Sequence, residues 1–490
     1  MTPAHPTLNQ TQAPLLDTLR AVALRSRAAF HTPGHKQGQS APVALRELLG
    51  AEVFRADLPE LPELDTLFAP EGVIQQAQEL AAAAFGAEQT WFLANGSTCG
   101  IEAAVLATCN PGDKLILPRN AHQSAIAALI LSGAVPIVVE PVYDATWDMA
   151  HGITPDALKT ALSEHADAKA VLIVSPTYYG VGSDIATLAR LTHEHHLPLL
   201  VDEAHGSHFA FHPGFPESAL AAGADLAVQS IHKTLSALTQ AAMLHIQGSR
   251  INRQRLSKAL QLVQSTSPSY LLLASLDAAR QQMALAGQEY LSQTLALATY
   301  ARHEIHQISG LALFELSNAG SATAGFTLDP TRLTLDFTQL GLTGFEADTI
   351  LHQILNVTAE LPCRTHLTFV LSLGNTAADI ETLIQACRTL AARPLSPLPP
   401  CPITPPPRPI TALTPRDAFF APAQAVPIAQ AIGQVSAELI CPYPPGIPLL
   451  FPGEVITAEA VAYLQQVRAL GGNITGCADA TLEFFRVIKA

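Results

Sequence analysis

The fold is decided by two stretches of sequence: Leu199-Leu200-Val201-Asp202-Glu203-Ala204-His205-Gly206 and Leu226-Ala227-Val228-Gln229-Ser230-Ile231-His232-Lys233. Each begins as a short apolar run and passes directly into polar residues, as buried strands do where they end at a ligand-binding edge. Strands that alternate with helices predict an α/β fold with a mostly parallel sheet. Further strand-like runs cover residues 114–117, 135–139 and 170–174, and helical patterns cover residues 154–165, 184–195 and 269–307.

The length of 490 residues allows several domains. We predict a helical N-terminal segment, a large α/β domain, a smaller α+β domain, a proline-rich linker and a C-terminal domain. Their predicted bounds are residues 1–45, 46–300, 301–392, 393–409 and 410–490. A proline-rich recognition tail is the alternative interpretation of the linker.

Charge and cysteine content exclude several classes of protein. Asp and Glu number 41 against 27 Lys and Arg, a net charge of −14, which argues against nonspecific nucleic-acid binding. The seven cysteines form no CxxC pair, which disfavours a zinc site or a disulfide framework. No signal peptide is visible, because residues 1–17 lack a basic start followed by an apolar run. No membrane span is visible either, because the most apolar stretch, residues 125–139, is interrupted by Ser132-Gly133 and Pro136. We therefore predict a cytoplasmic protein without a membrane or nucleic-acid partner.

Lys233 is the strongest candidate for chemistry. A lysine just past a strand end can form a Schiff base with an aldehyde cofactor, although a lone lysine in a loop is usually a solvated charge. Asp202, at the end of another strand, can pair with the protonated ring nitrogen of such a cofactor; a helix N-cap is its alternative role. Glu203 would point the opposite way from Asp202, since successive strand residues face opposite sides.

A phosphate site is predicted at Asn95-Gly96-Ser97-Thr98-Cys99-Gly100, between a strand-like run at residues 90–93 and a helical run at residues 101–109. Free N–H groups and the helix dipole attract anions there, but Ser and Thr are also ordinary N-caps. Ser230 and His232 are further phosphate candidates. His122, after the strand at 114–117, could stack on a cofactor ring, or it is a polar surface histidine. The histidine group at 193–196 predicts the end of a helix, and we predict no metal site.

These residues belong to a set of motifs that resembles the prokaryotic ornithine/lysine/arginine decarboxylases, which use pyridoxal 5'-phosphate on an aspartate-aminotransferase-like fold with a seven-stranded sheet. The matching motifs are His31-Thr-Pro-Gly-His-Lys36, Glu71-Gly-Val-Ile74, Asn95-Gly-Ser-Thr98, Ser175-Pro-Thr-Tyr-Tyr-Gly180, Asp202-Glu-Ala-His205, Ser230-Ile-His-Lys233, Ser265-Thr-Ser-Pro-Ser-Tyr270 and Pro442-Tyr-Pro-Pro-Gly-Ile-Pro448, with Pro452-Gly-Glu454. Together and in this order they are specific, whereas any one alone is not.

The resemblance implies roles for individual residues. Lys233 would hold the cofactor covalently, Asp202 would pair with the ring nitrogen and His122 would stack on the ring. Lys233 or His232 would return a proton to the substrate Cα after decarboxylation. The cofactor contacts implied are Gly96, Ser97, Thr98, His122, Asp202, His205, Ser230, His232 and Lys233.

The resemblance also implies a homodimer with shared active sites, in which segment 265–270 reaches the neighbour's cofactor. The motif at residue 33 already lies near the N-terminus, which predicts a short form without the receiver-like wing domain of longer relatives. That short form favours a role in polyamine biosynthesis over acid resistance.

The substrate would be lysine, arginine or ornithine. Its distal cation needs an acidic partner, for which Glu454 and the group Asp57, Glu60, Glu63 and Asp65 are candidates; a solvated acidic loop is the alternative. Another fold-type-I enzyme, such as an aminotransferase or a lyase, and a non-catalytic relative that binds the cofactor remain alternatives. Arg364 lies in the region where an aminotransferase would place its carboxylate-binding arginine.

Overall fold

The structure is a computed structural model that describes residues 8–25, 27–316, 325–393, 398, 410–443, 447–469 and 471–489. The predicted proline-rich linker, except Arg393 and Leu398, lies outside the described residues, as do residues 444–446 of the proline-rich motif. The predicted domain bounds stay predictions. Among the described residues, no helix is both long enough and apolar enough to cross a membrane.

Helices and strands alternate through most of the described chain. The α-helices are α1 Pro14–Ala23, α2 Val43–Leu49, α3 Ala51–Ala56, α4 Val73–Phe85, α5 Gly96–Thr108, α6 Gln123–Ser132, α7 Pro155–Glu164, α8 Ile185–Glu194, α9 Ile231–Thr234, α10 Arg253–Val263, α11 Tyr270–His306, α12 Gly344–Gln353, α13 Ala377–Ala391, α14 Pro415–Phe420, α15 Ile428–Ala431 and α16 Ala458–Ala469. The strands are β1 Gln89–Leu93, β2 Lys114–Pro118, β3 Val135–Val139, β4 Tyr143–Asp144, β5 Met149–Ala150, β6 Ala170–Val174, β7 Val181–Gly182, β8 Leu199–Asp202, β9 Leu226–Gln229, β10 Ala242–Ile246, β11 Ala312–Leu313, β12 Thr327–Leu328, β13 Arg332–Asp336, β14 Leu361–Pro362, β15 His366–Val370, β16 Ala423–Pro427, β17 Cys441–Tyr443, β18 Asn473–Thr475 and β19 Phe484–Ile488.

The chain divides into two compact units, and the first comprises Met1–Ala107, Leu200–Pro213 and Glu217–Leu291. In this unit β8 runs parallel to β9, while β10 is antiparallel to both β9 and β1. The N-terminal helix α1 is attached through Asp277, whose Oδ2 accepts the N–H groups of Leu15 and Leu16 at 3.0 and 3.3 Å.

The second unit comprises Thr108–Leu199, Gly214–Pro216 and Ser292–Ala490. Here β2 runs parallel to both β3 and β6. A four-stranded antiparallel sheet, ordered β11-β13-β15-β14, shares an apolar core with helices α12 and α13. Both helices begin with a capping box, Thr343 with Glu346 and Thr376 with Asp379, which satisfies N–H groups that the first turn leaves open.

The C-terminal part of the second unit has a small core of its own. The strands pair as β16 with β19 and β17 with β18. Helix α16 packs its buried side chains, including Leu464, against Ile440 and Phe485. The described part of this region therefore folds around a separate apolar cluster.

The predicted fold class is confirmed. Helices alternate with strands in both units, and the strand pairs β2–β3, β2–β6 and β8–β9 are parallel. The predicted strands at 135–139 and 170–174 match β3 and β6 residue for residue, because continuous apolar runs of this length are typical of buried strands. The predicted long helix agrees with α11 to within one residue at each end. The histidine group at 193–196 ends α8, as predicted.

Candidate active site

Lys233 lies on α9, a single helical turn that follows β9 directly. The position just past a strand end agrees with the sequence analysis, but the residue lies in a helical turn instead of an open loop. Its N–H donates to the Ser230 carbonyl at 3.1 Å. Its Nζ lies 3.1 Å from His205 Nε2, so the amine is held against an imidazole that can share its proton.

Asp202 ends β8, the parallel neighbour of β9. Its Cα pairs in register with Val228, so Asp202 and Lys233 follow the carboxyl ends of adjacent parallel strands, where ligands of such sheets bind. The carboxylate is only 8% exposed, and its Oδ1 accepts the N–H of Ala204 at 3.2 Å. The helix N-cap alternative is wrong, because the next helical turn, Phe209–Phe211, is preceded by His208 as its N-cap.

Glu203 faces away from Asp202, as predicted. Its Oε1 accepts the N–H of Ala219, and its Oε2 accepts from Gln229 Nε2, both at 2.7 Å. The side chain is 2% exposed. This burial raises the pKa of Glu203 to about 8, against the lowering effect of the two hydrogen bonds. Glu203 is therefore a buried group with hydrogen-bond partners of its own, which differ from the partner of Asp202.

The predicted phosphate site forms the start of α5. Gly96 has φ +76°, a conformation that favours glycine. Helix geometry leaves the N–H groups of the first turn, including those of Ser97 and Thr98, without partners inside the helix. Ser230 Oγ donates to Ser97 Oγ at 2.8 Å. The structure thus brings Gly96, Ser97, Thr98 and Ser230 together at one helix N-terminus.

Gly100 lets α5 pack closely against the sheet. A Cβ at this position would lie 2.7 Å from both Leu93 Cδ1 and Val228 Cγ1, which is far inside normal contact distance. The glycine that follows the phosphate motif is therefore required by the close approach of helix and strands.

His232 follows Ile231 on α9 and is anchored to the strand side. Its Nδ1 lies 3.0 Å from the carbonyl oxygen of Ala241, to which it donates. Burial, together with the charge of Lys233, lowers the pKa of His232 despite that backbone hydrogen bond. The neutral imidazole favoured by this shift carries its proton on Nδ1 and leaves Nε2 as an acceptor.

Ser207 is a residue of this region that the sequence analysis missed. Its Oγ lies 2.6 Å from Thr234 Oγ1 and 3.3 Å from the Ser230 carbonyl oxygen. Ser207 is fully buried, so this hydroxyl ties the turn of Lys233 to the segment after β8. Its only signal in the sequence is its place three residues after Ala204, beside a matched motif.

His122 lies in the second unit, where it is the N-cap of α6. Its Nδ1 accepts the N–H of Ser124 at 3.2 Å and lies 2.9 Å from Ser124 Oγ. Because Nδ1 is an acceptor, the proton of the neutral ring lies on Nε2. The proposed stacking of this ring on a cofactor stays a prediction.

Glu454, also in the second unit, is bound by an arginine of its own chain. Its Oε1 and Oε2 lie 2.5 and 3.0 Å from Arg119 Nη1 and Nη2, in a two-pronged ion pair. Glu454 is 2% exposed, and its Oε2 also accepts the N–H of Phe451 at 2.7 Å. The Glu454 carboxylate is thus already paired with a cation of its own chain. Its predicted contact with a substrate cation stays untested.

The other acidic candidates also have partners in their own unit. Asp65 caps the start of α4, and Asp57, Glu60 and Glu63 contact neighbouring side chains. The contacts are Asp57 to His35 at 3.1 Å, Glu60 to Thr66 at 3.1 Å, Glu63 to Arg25 and Arg27 at 2.8 and 3.0 Å, and Asp65 to the N–H groups of Thr66, Glu71, Gly72, Ile74 and Gln75 at 2.8 to 3.4 Å. These contacts favour structural roles.

Arg364, in the second unit, has a comparable acidic partner. Its Nη2 lies 3.2 Å from Asp148 Oδ2, and both side chains are 14% exposed. The Asp148 carboxylate thus neutralises the Arg364 charge within this unit. The suggested role of Arg364 as a carboxylate-binding arginine stays untested.

Two family models match the chain. The major domain of the Orn/Lys/Arg decarboxylases matches residues 13–379, and the C-terminal domain of the same family matches residues 407–481. The chain belongs to the Orn/Lys/Arg decarboxylase family. It is an amino-acid decarboxylase that acts on a basic amino acid, which confirms the predicted family and enzyme class.

Individual relatives agree with this family. An arginine decarboxylase from Bacillus subtilis (strain 168) is 39% identical over 98% of this chain and 99% of its own length. The solved structure of a lysine decarboxylase from Francisella novicida covers 98% of this chain and 81% of its own, at 22% identity and TM-score 0.83. An alanine–glyoxylate aminotransferase from Nostoc sp. covers 66% and 88%, at 17% identity and TM-score 0.52. The two structures show a shared fold alone.

Proposed function

We propose that this chain decarboxylates arginine to agmatine and carbon dioxide, with pyridoxal 5'-phosphate bound covalently through Lys233. The observation that carries the proposal is the pairing of Lys233 and His205 at the end of β9, with the buried carboxylate of Asp202 ending the parallel strand β8. A primary amine and a carboxylate at adjacent strand ends are the groups that an aldehyde on a pyridine ring requires.

The remaining donors also fit the cofactor. The left-handed Gly96, the open N–H groups at the start of α5 and the linked hydroxyls of Ser97 and Ser230 would receive the phosphate. When bound, the cofactor would supply a protonated ring that accepts the electron pair released as carbon dioxide leaves. Asp202 would keep the ring nitrogen protonated, because its carboxylate accepts that proton in a hydrogen bond.

Lys233 would serve both as the covalent anchor and as the proton donor. Its Nζ must lose a proton before it can attack an aldehyde, and His205 Nε2, 3.1 Å away, can accept it. After carbon dioxide leaves, a proton must return to the substrate Cα. His232 is a poorer donor, because burial lowers its pKa and its Nδ1 proton is directed to the Ala241 carbonyl.

The choice of arginine over lysine and ornithine is supported by the arginine decarboxylase relative, whose likeness extends over nearly the whole of both chains. We further propose a cytoplasmic homodimer with a role in polyamine biosynthesis, in which His122 stacks on the cofactor. Segment 265–270 would reach the neighbour's cofactor; in this chain it is held by Tyr270, whose hydroxyl donates to the Asp65 carbonyl at 2.5 Å.

Product analysis tests the proposal. Purified protein with pyridoxal phosphate is incubated separately with arginine, lysine and ornithine, and the products are identified by mass spectrometry. Agmatine from arginine, at a kcat/KM above those of the other two substrates, is the expected result, and Lys233→Ala should form none. Cadaverine or putrescine as the main product would refute the choice of arginine, and a keto acid would indicate an aminotransferase.

A further inference from the structure

The loop in front of α6 is fixed by the region after residue 409. We call the described residues 410–443, 447–469 and 471–489 the C-terminal segment. Arg119, three residues before His122, makes the two-pronged ion pair with Glu454 of this segment. Arg119 Nη2 also donates to the Leu449 carbonyl at 2.6 Å, and its guanidinium lies 4.0 Å from the Phe451 ring centroid.

The ion pair between Arg119 and Glu454 is buried, so its stability depends strongly on the positions of the two side chains. The Arg119 side chain is 12% exposed and that of Glu454 is 2% exposed. A buried charge is tolerated only when its partner and hydrogen bonds stay in place. The position of the Arg119 backbone is fixed in turn, because its N–H donates to the Val139 carbonyl at 2.9 Å.

The far end of α6 is held by the same segment. Arg416 Nη1 donates to the carbonyls of Ile130 and Leu131, each at 2.8 Å. These carbonyls belong to the last turn, where helix geometry leaves acceptors without partners and the helix dipole favours a cation. The C-terminal segment therefore contacts the polypeptide on both sides of α6.

His122 lies between Arg119 and the first turn of α6. Asn120 Nδ2 donates to the His151 carbonyl at 2.7 Å, which fixes the middle of the loop. His122 itself is oriented through its Nδ1 contacts with Ser124. Arg119 and Asn120 therefore anchor the short loop that leads to this imidazole, and loss of the Arg119 anchor leaves the loop held on one side only.

We propose that Glu454 is a positioning residue: through Arg119 it helps to fix the loop that carries His122 and thereby the orientation of this imidazole. The proposal rests on the proposed function, in which His122 stacks on the cofactor ring. It assigns the C-terminal segment a part in catalysis without any contact between Glu454 and the substrate.

The test compares Glu454→Gln with Glu438→Gln. Glu438 is a matched control, because it is a buried glutamate of the same segment, 7% exposed, that accepts the N–H groups of Ala478 and Arg486 at 2.6 and 2.9 Å. In the cofactor-free protein, hydrogen exchange in the peptide containing residues 119–125 should become faster in Glu454→Gln and stay unchanged in Glu438→Gln. This readout does not depend on catalysis.

Kinetics and cofactor spectra complete the test. We expect kcat to fall about 10- to 100-fold in Glu454→Gln, as for a small displacement of a group at the reacting centre. KM for arginine should change by less than about twofold, because no substrate contact is lost. The absorption spectrum of the bound cofactor should also shift. The double variant Arg119→Gln/Glu454→Gln should be no worse than Arg119→Gln alone, since Glu454 acts through Arg119.

Several outcomes separate the alternatives. A raised KM with unchanged kcat would identify Glu454 as a substrate-binding residue and overturn the proposal, as would unchanged exchange at residues 119–125. If Glu454→Gln does not fold, Glu454→Asp replaces it: a shorter carboxylate should give the same pattern with smaller changes. Failure of the wild-type protein to form any amine would refute the proposed function, while the exchange result would still report on the contact itself.

Discussion

The buried carboxyl group of Glu203 should make the stability of the protein depend on pH, and Glu203→Gln should remove that dependence. Burial raises the pKa of Glu203 from 4.5 to about 8. The folded protein therefore holds a proton that the unfolded chain releases above pH 4.5. The stabilisation from this group is complete below the unfolded pKa and is lost as the pH rises through the folded one.

The size of the effect follows from the two pKa values. Between them, the free energy of unfolding should fall by up to about 1.4 kcal/mol per pH unit more in the wild type than in Glu203→Gln. The variant should be accommodated, because glutamine can still accept the Ala219 N–H. Gln229 Oε1 is buried and has no hydrogen-bond partner among the described residues. If the Gln229 amide turns over, this oxygen can accept a hydrogen bond from the amide group of the new glutamine.

The assay is thermal unfolding of the wild type, Glu203→Gln and Glu459→Gln at matched buffers from pH 5 to 9. Glu459 is an exposed carboxylate in the first turn of α16 and serves as the control. The midpoint of Glu203→Gln should rise relative to the wild type as the pH increases, and the infrared band of a protonated carboxyl group should be absent from the variant. Parallel pH profiles for wild type and Glu203→Gln would refute the reasoning.

Three further predictions follow from the first unit. Gly100→Ala should destabilise the fold by about 1–3 kcal/mol through overpacking, partly offset by about 1 kcal/mol of better helix propensity. We expect a lower melting temperature and weaker binding of pyridoxal phosphate. The control Gly374→Ala should change neither, because its added Cβ meets open space. Asp277→Ala should destabilise by about 3–5 kcal/mol, because it leaves the fully buried Arg280 without its ion pair; a denaturation midpoint equal to that of the wild type would contradict this. Lys233→Ala should bind the cofactor without the covalent link, so dialysis should remove it from the variant faster than from the wild type.

Much of the fold could be predicted from local pattern. Continuous apolar runs identified β3 and β6 with their observed bounds, and the helical pattern identified α11 to within one residue at each end. The start of α5 was less predictable. The helical run was placed from Ile101, but the helix begins at Gly96, because its first turn consists of small and polar residues that carry no apolar periodicity.

The residues of the candidate site could likewise be predicted only in part from the sequence. Asp202 and Lys233 could be placed at strand ends because each directly follows an apolar run, and adjacency in sequence sets their positions. The acidic candidates for the substrate cation could not be assessed, since the partner of a carboxylate is chosen in space. Asp65, for example, turned out to cap α4 through backbone N–H groups up to ten residues away.

The sequence by itself determined the family, the α/β fold and the residues that follow the strands, because these depend on local hydrophobic pattern and on motifs in a set order. Only the tertiary structure decided which charges are paired. Arg119 and Glu454 are 335 positions apart in the chain, and no local signal links them. Their ion pair exists because burial of each charge requires an opposite charge that only the folded chain brings within reach.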